Sequence, residues 1–386
     1  MVKYLINIIK SVLTGTDFTA PENVNIDFEK LYAFSKAHHL AGFVALCPKA
    51  LEKMPPELAA KFVYENNRAT AREATQEVII NAFLDEMEKS GLRAMPLKGF
   101  YTKHLYPHPA LRYMTDTDIL IDKNQLDEIN PILENLGFVL DHETSHEVIF
   151  KSRQLVIELH KELVPPAFGK LYDYYANPWK YAKACDGKSF IYKMSPEDSY
   201  VYTIDHIAKH YVEGGIGLMH LIDVYVMNKQ SLDREYINSE LEKLTLCDFE
   251  KLFLELAGVL FADTTATDPR IDEMAAFILN SGAYGNSENR IASRMVANYT
   301  GDGKKASKAK LIFRKIFPTC EFLGYHYPAV NKYKVLYPVF WVVRFFKILF
   351  FRTNEIKNLS KYNDISRDTV NTFDEHLRKV GLSREL

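Results

Sequence analysis

The sequence has few cysteines, little excess charge of either sign and no uninterrupted apolar run long enough to cross a membrane. Cys47, Cys185, Cys247 and Cys320 lie far apart and form no Cys-x-x-Cys pair. This spacing argues against a zinc site or a redox motif and predicts four reduced thiols. Lys and Arg number 48 against 50 Asp and Glu, so the net charge of −2 provides no electrostatic basis for binding nucleic acid.

Two apolar segments resemble a signal peptide or a membrane span only in part. Residues 1–13 carry two lysines and lack a small-residue cleavage site, so they predict an amphipathic helix rather than a signal peptide. Residues 335–351 fall short of the ~20 residues of a membrane span. Arg344 and Lys347 would each cost about 2.5–3.5 kcal/mol at its centre. We expect a helix buried against the helical domain or, alternatively, a membrane-surface or partner contact, and a cytoplasmic protein.

The pattern of apolar residues divides the chain into three regions. Residues 1–90 are helical throughout and include a segment from Glu57 to Lys89 without internal Pro or Gly. Residues 91–165 alternate as β-α-β-α-β-β-β, and residues 166–386 return to helical patterns, ending in one exposed helix. The sequence therefore predicts an α+β fold in which a mixed β-sheet domain is inserted between an N-terminal helical region and a C-terminal, mostly α-helical domain.

Two acids at the start of the second predicted strand are the clearest chemical signal. Asp116 and Asp118 stand two apart, and the apolar run Ile119–Ile121 follows them, so strand alternation places both carboxylates on one face. Oxygen ligands of this kind suit a hard cation such as Mg²⁺, which proteins usually hold with one or two carboxylates plus substrate phosphates. The pattern predicts a divalent-metal site and phosphate chemistry.

Three motifs, in this order, carry a resemblance to a known family. Leu97-Lys-Gly99, Arg112-x-Met114-x-Asp-x-Asp118 and Val156-Ile-Glu-Leu-His160 are similar to motifs of the uncharacterised bacterial nucleotidyltransferases. That family lies within the DNA polymerase β-like nucleotidyltransferase superfamily. The likeness extends to the long helix before Leu97 and to residues 205–210 and 220–223.

The resemblance implies an enzyme that moves a nucleoside monophosphate from a nucleoside triphosphate (NTP) to an acceptor hydroxyl and releases pyrophosphate. Its catalytic and metal-binding acids carry over to Asp116, Asp118 and Glu158, which would hold Mg²⁺ or Mn²⁺. A turn that meets the triphosphate carries over to Gly99. The metal would neutralise charge that develops on the α-phosphate.

Residues around these acids are candidates for binding the nucleotide. Phe100 follows Gly99, whereas the superfamily generally has Ser or Gly there. Lys98 would compensate as a point charge on the phosphates, and Arg112 would bind one phosphate bidentately. Three more residues are candidates for support around the pocket, namely His160, His210 and Asp223.

Two other functions remain open from the sequence. The Gly99-Phe100 turn also fits a catalytically degenerate nucleotidyltransferase fold that acts as a binding module through a protein partner. Alternatively, four residues of the helical region would suit a metal-dependent phosphohydrolase, because two of them lie one helical turn apart. These are His206, His210, His220 and Asp223.

The acceptor cannot be read from the sequence. On this fold the acceptor is chosen by appended domains rather than by the catalytic core, so we expect a small molecule or a protein hydroxyl. Nucleic acid is the least favoured acceptor, because the net charge is near zero and no long basic stripe is present. Residues 301–310, predicted to be a surface loop, contain the basic cluster Lys304, Lys305, Lys308 and Lys310.

Overall fold

The computed structural model describes most of the chain, and its contacts divide the chain into two units. The described residues are 1–22, 25–144, 146–165, 168–283, 285–297, 333–351 and 365–382, with single positions 313, 317, 318, 320, 323 and 330. The first unit comprises residues 1–209 and 216–283, and the second comprises residues 210–215 and the described residues from 285 to 382. The predicted domain limits at residues 90 and 165 remain predictions, and the predicted loop 301–310 lies outside the described residues.

Five helices form the N-terminal part of the first unit. Asp27 caps the second helix, because its side chain accepts from the backbone N–H of Lys30. The fifth helix runs for 34 residues, as expected for a segment that has proline only at its start. The bounds are α1 Val2–Thr14, α2 Phe28–Ala37, α3 Ala41–Ala45, α4 Pro48–Leu51 and α5 Pro56–Lys89.

A five-stranded mixed sheet follows, in the spatial order β1-β2-β5-β4-β3. Strands β2 and β5 are parallel, and the other three pairs are antiparallel. The predicted α+β class with a mixed sheet is confirmed. The bounds are β1 Ala94–Pro96, α6 Gly99–Thr102, β2 Asp116–Ile121, α7 Leu126–Asn135, β3 Val139–Glu143, β4 Glu147–Lys151 and β5 Val156–His160.

One face of the sheet packs against α5 and α7 and fixes which way the strands face. Because side chains alternate along a strand, burying the apolar set on this face forces the intervening polar residues to the opposite face. The core residues are Ile80, Phe83, Leu84 and Met87 of α5, Ile129 and Leu133 of α7, and Ile119, Ile121, Val148, Phe150, Ile157 and Leu159 of the strands.

A short hairpin and further helices continue the chain. Ser195 caps the long ninth helix, because its Oγ accepts from the N–H of Asp198. Residues 234–261 hold two helices. The bounds are α8 Lys170–Tyr174, β6 Lys183–Ala184, β7 Tyr192–Lys193, α9 Pro196–Glu213, α10 Leu218–Met227, α11 Arg234–Lys243, α12 Cys247–Phe261 and α13 Arg270–Ser281.

The described helices of the second unit are α14 Ser287–Ala297, α15 Tyr337–Phe351 and α16 Arg367–Lys379. The final helix was expected to be exposed, but Val370, Phe373 and Leu377 on one of its faces are buried and α16 packs against α14.

Helix α15 differs from the expectation of a buried helix. Val339, Val342 and Phe346 are 54%, 54% and 48% exposed, and Val335 just before the helix is 82% exposed. Most residues of the helix are apolar, so packing one side leaves apolar residues on the other side uncovered. Within the described part of the chain, no helix combines the length and apolar content of a membrane span.

Candidate functional site

Two of the predicted acids face each other on adjacent strands. In the parallel register of β2 and β5, Asp118 lies opposite Glu158, and Asp116 lies opposite Val156. Both neighbours of Asp118 in the chain, Thr117 and Ile119, are fully buried. The carboxylates therefore lie on the sheet face that points away from the α5–α7 core.

Both carboxylate oxygens of Asp118 have partners. His160 Nε2 donates to its Oδ1 at 2.7 Å, and Lys98 Nζ lies 3.3 Å from its Oδ2. Burial alone would raise the pKa of Asp118, but the Lys98 ammonium and the His160 hydrogen bond outweigh it and hold that pKa well below its usual range. Asp118 is thus ionised at neutral pH.

The other acids on this face repel one another. Burial, followed by the charges of Asp118, Asp116 and Glu147, raises the pKa of Glu158 to about 8. Burial and Asp118 also raise the pKa of Asp116. The face therefore holds more negative charge than its local cations neutralise, which is the electrostatic environment that favours a bound cation.

A group of three side chains has the spacing of a metal site. Ligand atoms of Asp118, Glu158 and His160 all lie within 4.8 Å of one another. Asp116 shares the face but is not in this group. Carboxylate oxygens suit Mg²⁺ or Mn²⁺, so the residues fit a divalent cation. His160, expected only to support the site, is in direct contact with its central acid.

Sequence reasoning missed Glu147. It lies on β4 opposite His160 in the register of β4 and β5, and it contributes to the raised pKa of Glu158. No local signal identifies it, because the position of β4 beside β5 depends on the strand order.

Lys98 has an unusual backbone conformation. Its φ is +45°, which is rare for a residue with a Cβ and costs on the order of 1–3 kcal/mol. The side chain is only 13% exposed. Burial would lower the pKa of Lys98, but the charges of Asp118, Tyr202 and Asp116 raise it overall. The strained turn thus holds a permanent positive charge against Asp118.

The guanidinium of Arg112 already has a carboxylate partner and is not free to bind a phosphate. Its Nε and Nη2 donate to Asp223 Oδ1 and Oδ2 at 3.1 and 3.0 Å, and the Tyr106 hydroxyl donates to Oδ1 at 2.6 Å. The guanidinium also covers Gly99, where an added Cβ would lie 2.6 Å from Arg112 Cζ. Gly99 is therefore needed for the close approach of Arg112, and Asp223 holds Arg112 in place.

The unusual Phe100 has a structural explanation. Its side chain is 5% exposed and belongs to the core beneath the sheet. A Ser or Gly at this position would leave a cavity in that core. The departure from the superfamily motif therefore serves packing.

In the part of the chain that the structure describes, the helical residues that suggested a phosphohydrolase are not part of a group of three potential metal ligands. His210 belongs to the second unit and lies 3.3 Å from Glu213 on its own helix, whereas Asp223 is bound to Arg112. Among described residues, the group of three potential metal ligands comprises Asp118, Glu158 and His160 instead.

Helix α9 contributes two buried polar residues beside Lys98. The Tyr202 ring centre lies 5.7 Å from Lys98 Nζ. Asp205, one turn later, is 2% exposed, and its Oδ1 accepts no hydrogen bond from any described residue. Burial raises the pKa of Asp205 to about 7 despite the charges of Lys209 and Lys98. In the sequence, this part of α9 was marked only by the family resemblance at residues 205–210.

Comparison with known proteins adds one family and one structure. A family model described as "Uncharacterised nucleotidyltransferase" matches residues 25–262. The chain is also similar to a solution structure of the antibiotic-resistance factor ANT(2'')-Ia, with 14% identity and a TM-score of 0.35. That match covers 45% of this chain and 92% of the other. No curated protein matches the chain.

Proposed function

Because this chain belongs to the uncharacterised nucleotidyltransferase family, whose model spans residues 25–262, we propose that it transfers a nucleoside monophosphate from an NTP to an acceptor hydroxyl. The reaction forms a bond between the acceptor oxygen and the α-phosphorus. It breaks the bond between the α-phosphorus and the oxygen that bridges it to the β-phosphorus. Pyrophosphate leaves, and the hydroxyl proton passes to a base. The acceptor would be a small molecule or a protein hydroxyl.

The observation that carries the proposal is the pairing of Asp118 with Glu158 on the face opposite the core. Together with Asp116 they form a face on which burial and the neighbouring negative charges keep a proton on Glu158. We assign Asp116, Asp118 and Glu158 as the acids that hold Mg²⁺ or Mn²⁺, and His160 as a neighbour that orients Asp118. Such a cation, when bound, neutralises charge on the triphosphate.

The residues around the acids have distinct roles in this proposal. Lys98 is permanently charged and lies beside Asp118, so it is placed to contact the phosphates that approach the acids. The guanidinium of Arg112 is bound to Asp223. We therefore assign Arg112 to positioning the turn at Gly99 rather than to binding phosphate. Glu158, once it has lost its proton, can orient the acceptor hydroxyl or accept its proton. We place the reaction in the cytoplasm, a reducing compartment that suits the four free cysteines.

Calorimetry of nucleotide binding tests the proposal. ATP, GTP, CTP and UTP would be titrated with and without Mg²⁺ into the wild type and into an Asp116→Asn, Asp118→Asn double variant. We expect binding that requires both the metal and the two aspartates. The variant Glu143→Gln, with a side chain 52% exposed on β3, is the matched control and should bind as the wild type does.

The result also selects the next experiment. Metal-dependent binding names the nucleotide to use in a screen for nucleotidylated small molecules and proteins. If no nucleotide binds under any condition, the transferase proposal is wrong, and the chain would then be tested as a binding module for a protein partner.

A further inference from the structure

A second polar cleft lies at the edge of the sheet where β2 and β5 begin. Its volume is about 460 Å³, and it is bounded by α5 and by the turn between β4 and β5. Two arginines and four uncharged polar residues line it, and no carboxylate does. These residues are Arg72, Arg153, Thr75, Thr115, Ser152 and Gln154.

The cleft adjoins the acids of the proposed active site. Thr115 directly precedes Asp116, and Val156, which also lines the cleft, lies opposite Asp116 in the strand register. The cleft and the acids therefore lie at the same end of β2 and β5.

Arg72 is held in the cleft by uncharged partners. Its Nη1 donates to the Tyr113 hydroxyl at 2.6 Å, and its Nη2 donates to the carbonyl of Thr115 at 3.3 Å. The guanidinium also lies 4.8 Å from the centre of the Tyr113 ring. These contacts fix the side chain but leave its positive charge uncompensated, since none of the partners is an anion.

Neither arginine of the cleft has an anionic partner among the described residues. The Nε of Arg72 is buried and has no hydrogen-bond partner among described residues, although a buried donor normally has one. Arg153 forms no ion pair with any residue that the structure describes. By contrast, Lys98 lies beside Asp118 and Arg112 is bound to Asp223. Arg72 and Arg153 therefore differ from Lys98 and Arg112, because neither forms an ion pair with a carboxylate among the described residues.

We propose that this cleft binds a phosphate group. Guanidinium groups recognise phosphate through paired N–H donors, and the side-chain amide of Gln154 can supply a further donor. The hydroxyls of Thr75 and Ser152 already donate to the carbonyls of Ala71 and Leu155. The inference rests on the proposed function and deepens it. The phosphate would come either from the β- and γ-positions of the donor nucleotide or from a phosphorylated acceptor.

Binding of inorganic phosphate and tripolyphosphate, measured by calorimetry with a chelator present, tests the cleft independently of the metal site. Arg153→Gln removes an exposed charge with little risk to folding, and the Arg72→Gln, Arg153→Gln double variant removes both charges. We expect each arginine to contribute about tenfold in affinity, as for other charge-assisted hydrogen bonds. Arg68→Gln is the matched control, because Arg68 lies one turn from Arg72 on α5 but outside the cleft.

Nucleotides then distinguish the two sources of phosphate. If the Arg153→Gln variant binds NTP and tripolyphosphate more weakly but binds nucleoside monophosphate as the wild type does, the cleft holds the donor's terminal phosphates. If NTP affinity is unchanged while inorganic phosphate binds more weakly, the cleft serves the acceptor.

The proposal is overturned if the wild type binds neither phosphate nor tripolyphosphate, or if both arginine variants bind them within twofold of the wild type. Intact metal-dependent NTP binding by these variants would then show that only the cleft assignment had failed. Conversely, loss of nucleotide binding in the Asp116→Asn, Asp118→Asn variant has no bearing on metal-free phosphate binding.

Discussion

At the scale of single residues, charge compensation distinguishes the acids of the site from one another. Asp118 is ionised because Lys98 and His160 are its partners. Glu158, directly opposite, lies 3.9 Å from the same His160 nitrogen, but burial and the neighbouring carboxylates raise its pKa. Two acids that are paired across neighbouring strands thus differ in protonation at neutral pH. Their environments, rather than their residue types, assign one as a permanent anion and the other as a proton-bearing group.

This difference makes the affinity for a divalent cation depend on pH. A carboxylate must lose its proton to bind a metal, and the pKa of Glu158 is raised to about 8. We therefore expect the affinity for Mn²⁺ or Mg²⁺ to fall about tenfold per pH unit as pH decreases below 8 and to level off above it. Calorimetric titration with Mn²⁺ between pH 6.5 and 9 measures this slope.

The Glu158→Gln variant provides the comparison. It should bind the cation more weakly at pH 9 and show a flatter pH dependence, whereas Glu143→Gln should follow the wild type. An affinity of the wild type that is constant from pH 6.5 to 9 would contradict the assignment of Glu158 as a metal ligand.

At the scale of structural elements, the turn before α6 is tied to α10. Arg112, after the loop that follows α6, packs on Gly99 and forms a bidentate pair with Asp223 of α10. Asp223 is buried and the Arg112 side chain is only 17% exposed, so removing either charge leaves the other poorly compensated. The turn that carries Lys98 is thereby held by a helix that lies more than a hundred residues further along the chain.

A double-mutant cycle tests this link. Gly99→Ala would place a Cβ against Arg112, so we expect it to lower the free energy of unfolding by about 1–3 kcal/mol, as for other overpacked sites. In the Arg112→Ala background the clashing atoms are absent, so adding Gly99→Ala should cost little more. Urea unfolding measures all three variants. Strictly additive costs would show that Arg112 does not occupy the space at Gly99.

At the scale of the whole molecule, apolar surface is unevenly distributed. The first unit buries its apolar side chains around the sheet and among the helices, whereas six exposed apolar residues lie between 335 and 346. The opposite side of α15 is anchored, because Tyr337 and Trp341 donate to the carbonyl of Pro318 at 2.6 and 2.8 Å. The segment is thus a half-covered helix rather than a core helix.

The exposure of α15 predicts that its outer residues contribute little to stability. Val339→Thr and Val342→Thr should each change the free energy of unfolding by less than about 0.5 kcal/mol, as exposed substitutions usually do. Val370→Thr is the matched variant on α16, where the side chain is 2% exposed, and should cost about 1–3 kcal/mol because it buries a hydroxyl. Thermal unfolding followed by circular dichroism compares the three. Equal losses at Val339 and Val370 would indicate that α15 is buried after all.

Much of the fold and part of the site could be predicted without the structure. The long helix α5, the strand carrying Asp116 and Asp118 and the mixed sheet follow from periodicity, which is a local property. The family inferred from the motifs at Gly99, Asp118 and Glu158 is confirmed by the family model over residues 25–262. The assignment of individual site residues remains a prediction, because the comparisons identify a family over a range of residues and not the roles of single side chains.

The sequence by itself determined the α+β class and the face of β2 on which the acids lie, because both depend on spacing along one segment. Only the tertiary structure decided which groups meet. His160 contacts Asp118, Glu147 lies beside β5, Asp223 binds Arg112, and Arg72 and Arg153 line one cleft. These contacts depend on strand order and on packing between distant segments. Partners separated by many residues are selected by the burial of the whole core, which no local pattern encodes.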